Sequence, residues 1–183
     1  SAAPCGACRQ FLLEASIGGD LEILLPARTE NGRSRRLSEL LPDAFGPAAL
    51  RVDARLFAPT ETAGTDLGAT GPPDIQTDPL ARIALQAAFR SYAPYTQSPS
   101  GCAIQLASGV VVSGGCVESA AYNPGLTAMQ AALSRANLAA AHLPDDIERM
   151  VLADRAGPYC QSDATAQLLS IWAPQADLTI HRF

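Results

Sequence analysis

Apolar positions change their spacing several times along the chain, and each spacing predicts an element. Over residues 5–16, Phe11, Leu12 and Ala15 fall on one side of a helix, which Gly18-Gly19 ends. Residues 21–25 form a short apolar run closed by Pro26, the pattern of a strand. Residues 37–41 fit one or two helical turns before Pro42. Leu50, Val52, Ala54 and Leu56 then alternate with Arg51, Asp53 and Arg55, a period of two that predicts a strand or an extended connector.

The pattern breaks over residues 58–78. Ala58-Pro59, Gly64, Gly68, Gly71-Pro72-Pro73 and Asp74 are turn and linker residues. This divides the chain into residues 1–57, a linker at 58–78, and residues 79–183. The last part opens on a helix from Pro79 to about Tyr92, with Asp78 as its cap and Pro79 in its first turn. Residues 103–106 and 110–113 flank Ala107-Ser108-Gly109 as a hairpin. An alanine-rich helix over 126–142, a strand at 149–153, a helix at 162–171 and a strand at 177–181 complete the chain. A strand pair, then helix, strand, helix, strand, predicts a layered α/β domain.

Composition removes several functions. The 183 residues suit one medium domain, or a small one with part of another. Net charge is −5, and the one basic run is Arg33 to Arg36, read as a solvated loop. A polynucleotide surface needs clustered cations, so nucleic-acid polymers are excluded as partners, whereas a free nucleoside is not. No apolar stretch is long enough for a membrane span. The five cysteines (Cys5, Cys8, Cys102, Cys116, Cys160) have no framework spacing and read as reduced thiols of the cytoplasm. Ser1-Ala2-Ala3 is not a natural start; it is expected to mark a truncated or incompletely recorded chain, the alternative being a processed terminus.

The chemistry concentrates in Pro4-Cys5-Gly6-Ala7-Cys8-Arg9-Gln10. Proline suits a first helical turn, and the partial positive charge there favours thiolates. Two cysteines three apart can bind one zinc ion, which takes thiolates at about 2.3 Å and needs four ligands. Only two are visible in this motif.

These residues resemble the second half of the zinc signature of cytidine deaminases. Tyr92-Ala93-Pro94-Tyr95 and Pro99-Ser100-Gly101 resemble the opening of the deaminase core. Glu118-Ser119-Ala120-Ala121-Tyr122-Asn123-Pro124 resembles its nucleoside-reading segment. Leu41-Pro42-Asp43-Ala44-Phe45-Gly46-Pro47 is similar to the long, two-domain, homodimeric branch. The resemblance implies a three-layer α/β/α fold, duplicated, with the first copy only partly present. Residues 1–57 would be the end of the zinc-binding catalytic domain, and 79–183 a degenerate copy without zinc. It also implies hydrolysis of cytidine or deoxycytidine to the uridine forms, a step of pyrimidine salvage. A metal-activated water attacks C4 of cytosine while a glutamate, not itself a ligand, moves the protons.

On this resemblance Cys5 and Cys8 are zinc ligands. The third ligand and the proton-carrying glutamate are expected upstream of Ser1, so this chain holds no catalytic group and would be inactive alone. Arg9 would hydrogen-bond a thiolate and offset its charge. Ala120 and Tyr122 would touch the ribose bound by a partner chain, the alternative for Tyr122 being a half-buried core aromatic. Glu118 matches the family's ribose-binding acid and is expected to make local hydrogen bonds. In the second copy, Thr127-Ala128-Met129 stands where a ligand, alanine and glutamate belong, and Cys160 stands alone where two cysteines belong. The aromatic expected near Ser98 and the asparagine expected near Cys116 are absent.

The remaining candidates read as structural. His142 and His181 are structural or exposed, Cys102 and Cys116 are small buried hydrophobes, and Trp172 is a core or interface anchor. Asp145-Asp146 is a turn, and Gly114-Gly115 is a turn or a close backbone approach. Two other functions stand beside the deaminase: a non-catalytic dimerisation module of the same fold, and a thiol redox protein using Cys5 and Cys8.

Overall fold

The computed structural model describes residues 3–16, 19–25, 33–54, 56–57, 73–139 and 142–183. It divides into two compact units. The first is Ser1–Pro59 with Glu118–Gly125, and the second is Thr60–Val117 with Leu126–Phe183. Residues 58–72 of the expected linker lie outside the described residues. Its end, Pro73–Thr77, is a short helix.

In the first unit, helix α1 (Gly6–Ala15) starts on Cys5, whose sulfur accepts the Cys8 N–H. Strands β1 (Glu22–Leu25) and β2 (Arg33–Arg36) pair antiparallel, from Glu22↔Arg36 to Leu25↔Arg33. Arg33 to Arg36 therefore form a strand and not the expected loop. Backbone pairing with β1 satisfies their N–H and C=O groups while all four side chains stay exposed. Helix α2 (Leu37–Leu40) comes next, with Leu37 buried. Asp20 accepts the Ser38 N–H at 2.9 Å and its hydroxyl at 2.6 Å. Of the strand and the extended connector expected over 50–56, no strand forms among the described residues. Pro47–Leu50 is a 3-10 turn, and Arg51 leaves it in the left-handed region at φ 55°.

The second unit is layered. Its sheet has the order β4-β3-β5-β6, from β3 (Ser100–Leu106), β4 (Val111–Gly115), β5 (Ile147–Asp154) and β6 (Asp177–Arg182). The β3–β4 and β3–β5 pairs are antiparallel and β5–β6 is parallel. Helix α5 (Ala128–Ala139) connects β4 to β5, and α6 (Ser162–Trp172) makes the crossover that a parallel pair requires. Residues 140–141 of the expected 126–142 helix lie outside the described residues.

Helices α3 (Pro73–Thr77) and α4 (Pro79–Phe89) cover one face, packing Ile75, Leu80, Ala84 and Leu85 on Ala103, Val151 and Ala153. Residues of α5 and α6 cover the other with Met129, Ala132 and Leu169 against Ile104, Met150 and Leu152. Both faces being covered, β3 carries apolar residues on either side, with Cys102 and Ala103 both buried.

Three glycines let the helices approach. A Cβ on Gly101 would stand 2.1 Å from the Ala84 carbonyl oxygen, and one on Gly114 would stand 2.4 Å from the Ala132 nitrogen. Gly115 meets the Ala87 carbonyl in the same way. Of the two expectations for Gly114-Gly115, close approach is what the structure shows. His181 is structural: it is buried on β6, with Nδ1 2.6 Å from Asp74 of α3.

Asp78 caps α4 by accepting the Leu80 N–H at 2.9 Å, and makes a two-pronged ion pair with Arg149 of β5. The Arg149 hydrogen bonds hold its carboxyl below the usual carboxylate range. A depressed folded pKa means the stabilisation is complete above the unfolded value of about 4 and fades as pH falls through the folded one. Asp78→Asn, which keeps the cap oxygen, should lower neutral-pH stability by about 1 kcal/mol and converge with wild type in acid. Urea unfolding across the acid range checks this. Gly101→Ala, with backbone on the far side of the clash, should cost about 3 kcal/mol or more by the same measurement.

Candidate active site

Cys5 and Cys8 come together at the start of α1. Their sulfur atoms are 3.3 Å apart, not bonded, and both residues are exposed. The Cys8 N–H donates to the Cys5 sulfur at 3.4 Å, so one of the orphan donors of the helix start is satisfied by a sulfur. That backbone bond, helped by the Cys8 thiol, holds Cys5 below the ordinary thiol range. The same sulfur–sulfur contact, with the charge that develops on Cys5, pushes Cys8 up. Cys5 is therefore the sulfur that ionises first.

Arg9 braces this turn. Its Nε donates to the Pro4 carbonyl at 2.8 Å, and a terminal nitrogen donates to the Leu40 carbonyl at 2.7 Å. These bonds fix the residue that precedes Cys5, so Arg9 positions the pair through the backbone.

The inner face of α1 differs from the expected one. Its two buried residues are Gln10 and Glu14, at 8% and 2% exposure, while Phe11, Leu12 and Ala15 are only half-buried. Gln10 donates to the Phe45 carbonyl. Glu14 accepts the Ala120 N–H at 3.1 Å. Ala120 thus lies in the first unit with the cysteine helix of its own chain. Tyr122 is 68% exposed and is not a half-buried core aromatic. Its N–H is bonded to the Ser119 carbonyl, and its backbone is left-handed, φ 62°. Sequence reasoning missed Gln10 and Glu14. The signal was two polar residues one turn apart, on either side of Phe11-Leu12-Leu13.

Two helix starts of the second unit, those of α5 and α6, stand where the resemblance would put metal ligands. At α5 the Ala128 N–H is taken by the Gln161 side-chain oxygen at 2.9 Å, and Met129 points into the core. Gln161 itself precedes α6, and its N–H donates to Asp154 at 2.8 Å. Cys160 donates to the same Asp154 oxygen at 3.1 Å and lies 2.7 Å from the Ser162 hydroxyl. An amide, a methionine and one cysteine make a poor donor set for zinc.

The family model for the cytidine and deoxycytidylate deaminase zinc-binding region matches residues 37–167. The chain belongs to this deaminase family. A curated cytidine deaminase from Sodalis glossinidius (strain morsitans) is 44% identical over 177 residues, covering 91% of this chain and 54% of its own length. The chain spans about half the length of that curated relative. Among solved structures, a cytidine deaminase from Burkholderia pseudomallei is 27% identical over 57% of this chain and 83% of its own, with a TM-score of 0.49. One from Mycobacterium tuberculosis is 24% identical over 54% of this chain and 78% of its own, with a TM-score of 0.43.

The matched region begins after Cys8. The test of the metal is therefore the donor set itself. Two thiolates on one tetrahedral zinc stand about 3.8 Å apart, so the observed pair needs to open by only a few tenths of an ångström. Its helix-start position and the ready ionisation of Cys5 suit a cation. The pair fits zinc, although among the described residues no group of three or more His, Cys, Asp or Glu is placed to hold a metal.

Alkylation by iodoacetamide at about pH 8 in chelator should label Cys5 ahead of Cys8, because only thiolate reacts. Cys102, whose thiol burial pushes up to about 12, should stay unlabelled until the protein unfolds. Peptide mass spectrometry reads the order. Equal labelling of Cys5 and Cys8 would contradict the asymmetry.

Proposed function

We propose that the complete protein is a zinc-dependent deaminase of free cytidine and deoxycytidine, and that this chain supplies two of its zinc ligands, Cys5 and Cys8. The observation that carries this is the sulfur pair at the start of α1, one member ready to ionise, in a chain of the deaminase family. The 44% identity to a protein named cytidine deaminase supports the substrate.

Zinc bound there would supply an activated water for attack on C4 of the base. The chain's own residues have the other tasks. Cys5 and Cys8 give up protons to bind the metal, so loading weakens as pH falls. Arg9, through the Pro4 carbonyl, keeps Cys5 in its capping geometry. Ala120 and Tyr122 serve the sugar end of the substrate. On the resemblance, the sugar they serve is that of a nucleoside bound by a partner chain. The third ligand and the proton-carrying glutamate come from outside the described residues. The second unit, with Gln161 across the start of α5, is a copy of the fold that holds no zinc. A homodimer working in the cytoplasm completes the proposal.

The split between Cys5 and Cys8 also favours a second reading, a dithiol that cycles to a disulfide. One set of measurements separates the two. The complete protein should contain zinc and convert cytidine to uridine, read as loss of cytosine absorbance. Cys8→Ala should lose the metal and reduce turnover by at least about a thousandfold, since removing a ligand removes the activated water. A metal-free protein with a reversible Cys5–Cys8 disulfide and no turnover would establish the redox reading. Zinc-free, inert and non-cycling protein would leave a dimerisation module.

A further inference from the structure

A row of polar residues crosses one end of the second unit's sheet. The register pairs Ser100 of β3 with Asp154 of β5, and Asp154 with Arg182 of β6. Residues paired in register project to the same side of a sheet. Ser100 and Asp154 share their side with the core residues Cys102 and Leu152, two positions along each strand, so the row lies on the side covered by α5 and α6. Asp154 and Arg182 are the last residues of two parallel strands, the end at which layered α/β sheets place ligands.

Two oxygens in this row are stranded. Ser100 is fully buried and Asp154 is 1% exposed, yet among the described residues nothing bonds the Ser100 hydroxyl or Asp154 Oδ1. Burying an oxygen without a partner is costly, so each such atom calls for an explanation. The other carboxylate oxygen, Oδ2, is fully engaged. It accepts the Gln161 N–H at 2.8 Å and the Cys160 thiol at 3.1 Å.

Cys160 stands over the row, just before α6, and is exposed. Its sulfur is 2.7 Å from the Ser162 hydroxyl and 3.8 Å from a terminal nitrogen of Arg182. The same nitrogen donates to Ser162 Oγ at 3.4 Å. No acid pairs with Arg182 among the described ion pairs. One accessible thiol thus meets a carboxylate able to take its proton, a hydroxyl, and a guanidinium with charge to spare. A metal cation placed here would be repelled by Arg182. A small neutral oxidant, whose departing oxygen turns negative, would be helped by it.

We propose that Cys160 is a peroxide-reactive thiol, oxidised to the sulfenic acid in a site built by Asp154, Ser162 and Arg182. The substrate class is a hydroperoxide, of which hydrogen peroxide is the smallest. The Cys160 proton passes to Asp154 Oδ2 as the sulfur attacks one peroxide oxygen. An S–O bond forms and the O–O bond breaks. Arg182 and Ser162 stabilise the charge on the departing oxygen, which takes the proton back from Asp154 and, from hydrogen peroxide, leaves as water. The sulfur loses two electrons and the peroxide gains them. The sulfenic O–H is a new donor, and Asp154 Oδ1 is an acceptor without one. Neither zinc nor cytidine enters this chemistry, so it stands apart from the deaminase reading.

The test treats the reduced complete protein with hydrogen peroxide and a cyclic 1,3-dione that captures sulfenic acids, and locates the adduct by peptide mass spectrometry. Cys160 should label at least about tenfold faster than the same cysteine in an unstructured peptide of residues 156–164. Arg182→Gln should slow this about tenfold, and Arg182→Lys should recover part of the loss by keeping the charge. Iodoacetamide is the control, because it needs the thiolate and breaks no O–O bond. R182Q should change alkylation of Cys160 by less than about threefold, so the ratio of peroxide rate to alkylation rate falls. Ser162→Ala should lower the same ratio. A side chain that merely held the loop in place would move both rates together.

A Cys160 that labels no faster than the peptide would overturn the proposal. So would an R182Q protein whose peroxide rate is unchanged, or whose two rates fall equally. Should R182Q not fold, the rate against the peptide and the S162A ratio decide it.

Discussion

A helix begins with backbone N–H groups that have no partner within the helix, and the group that satisfies them decides where this fold can do chemistry. At α1 the acceptor is the Cys5 sulfur, taking the Cys8 N–H. At α4 it is the Asp78 carboxylate, taking the Leu80 N–H. At α5 it is the Gln161 side-chain oxygen, taking the Ala128 N–H. The three caps meet the same backbone demand with groups of different reactivity. A sulfur cap leaves a soft, ionisable ligand facing outward. A carboxylate cap has its charge engaged by Arg149. An amide cap ends the matter, because it neither ionises nor binds zinc well. The contrast between reactive and inert helix starts comes from one side chain in each.

Around these starts the packing is unforgiving. Gly101 and Gly115 bring β3 and β4 against the backbone of α4, and Gly114 brings β4 against α5, closer than any side chain permits. Alanines on the helices, among them Ala84, Ala87, Ala88 and Ala132, complete the fit. Small residues on both surfaces permit close contact, and interiors packed at crystal-like density transmit displacement to their neighbours. The start of α5 is held from both sides: Ala132 packs on Gly114 one turn in, and Gln161 bonds the first residue. The packing here depends on glycine, alanine and an amide cap, and needs no metal ligand.

Much of this was legible in the order of residues, and the failures share a cause. The Cys5–Cys8 helix start, the hairpin around Ser108 and the strand–helix alternation after it are local patterns, encoded by near neighbours. Arg33 to Arg36 form a strand against local preference because β1 offers a partner ladder, and pairing is a property of two segments. The alternation over residues 50–56 fails for the converse reason. Pro47 starts a 3-10 turn, Arg51 leaves it left-handed, and no strand ladder takes up the described residues beyond it. Gln10 and Glu14 are the most instructive. Read alone, they are polar positions on the outside of an amphipathic helix. Their partners, the Phe45 carbonyl and the Ala120 N–H, lie 35 and 106 residues away. No local pattern can announce a backbone group that arrives from so far along the chain.

That long reach joins segments far apart in the sequence within one unit. The family match runs from residue 37 to 167 and leaves out the cysteine pair, so likeness to the family rests here on the framework. The framework contributes one segment, Glu118–Gly125, to the first unit, and that segment is seated by a buried acid on the helix whose start carries the sulfurs. Its strained conformation, with a tyrosine at a position that favours glycine, needs a counterweight. Stability is a weak candidate, since an exposed ring contributes little burial. The bonds from Tyr122 N–H to Ser119, from Gly125 N–H to Tyr122 and from Ala120 N–H to Glu14 are among those that hold the segment in this conformation.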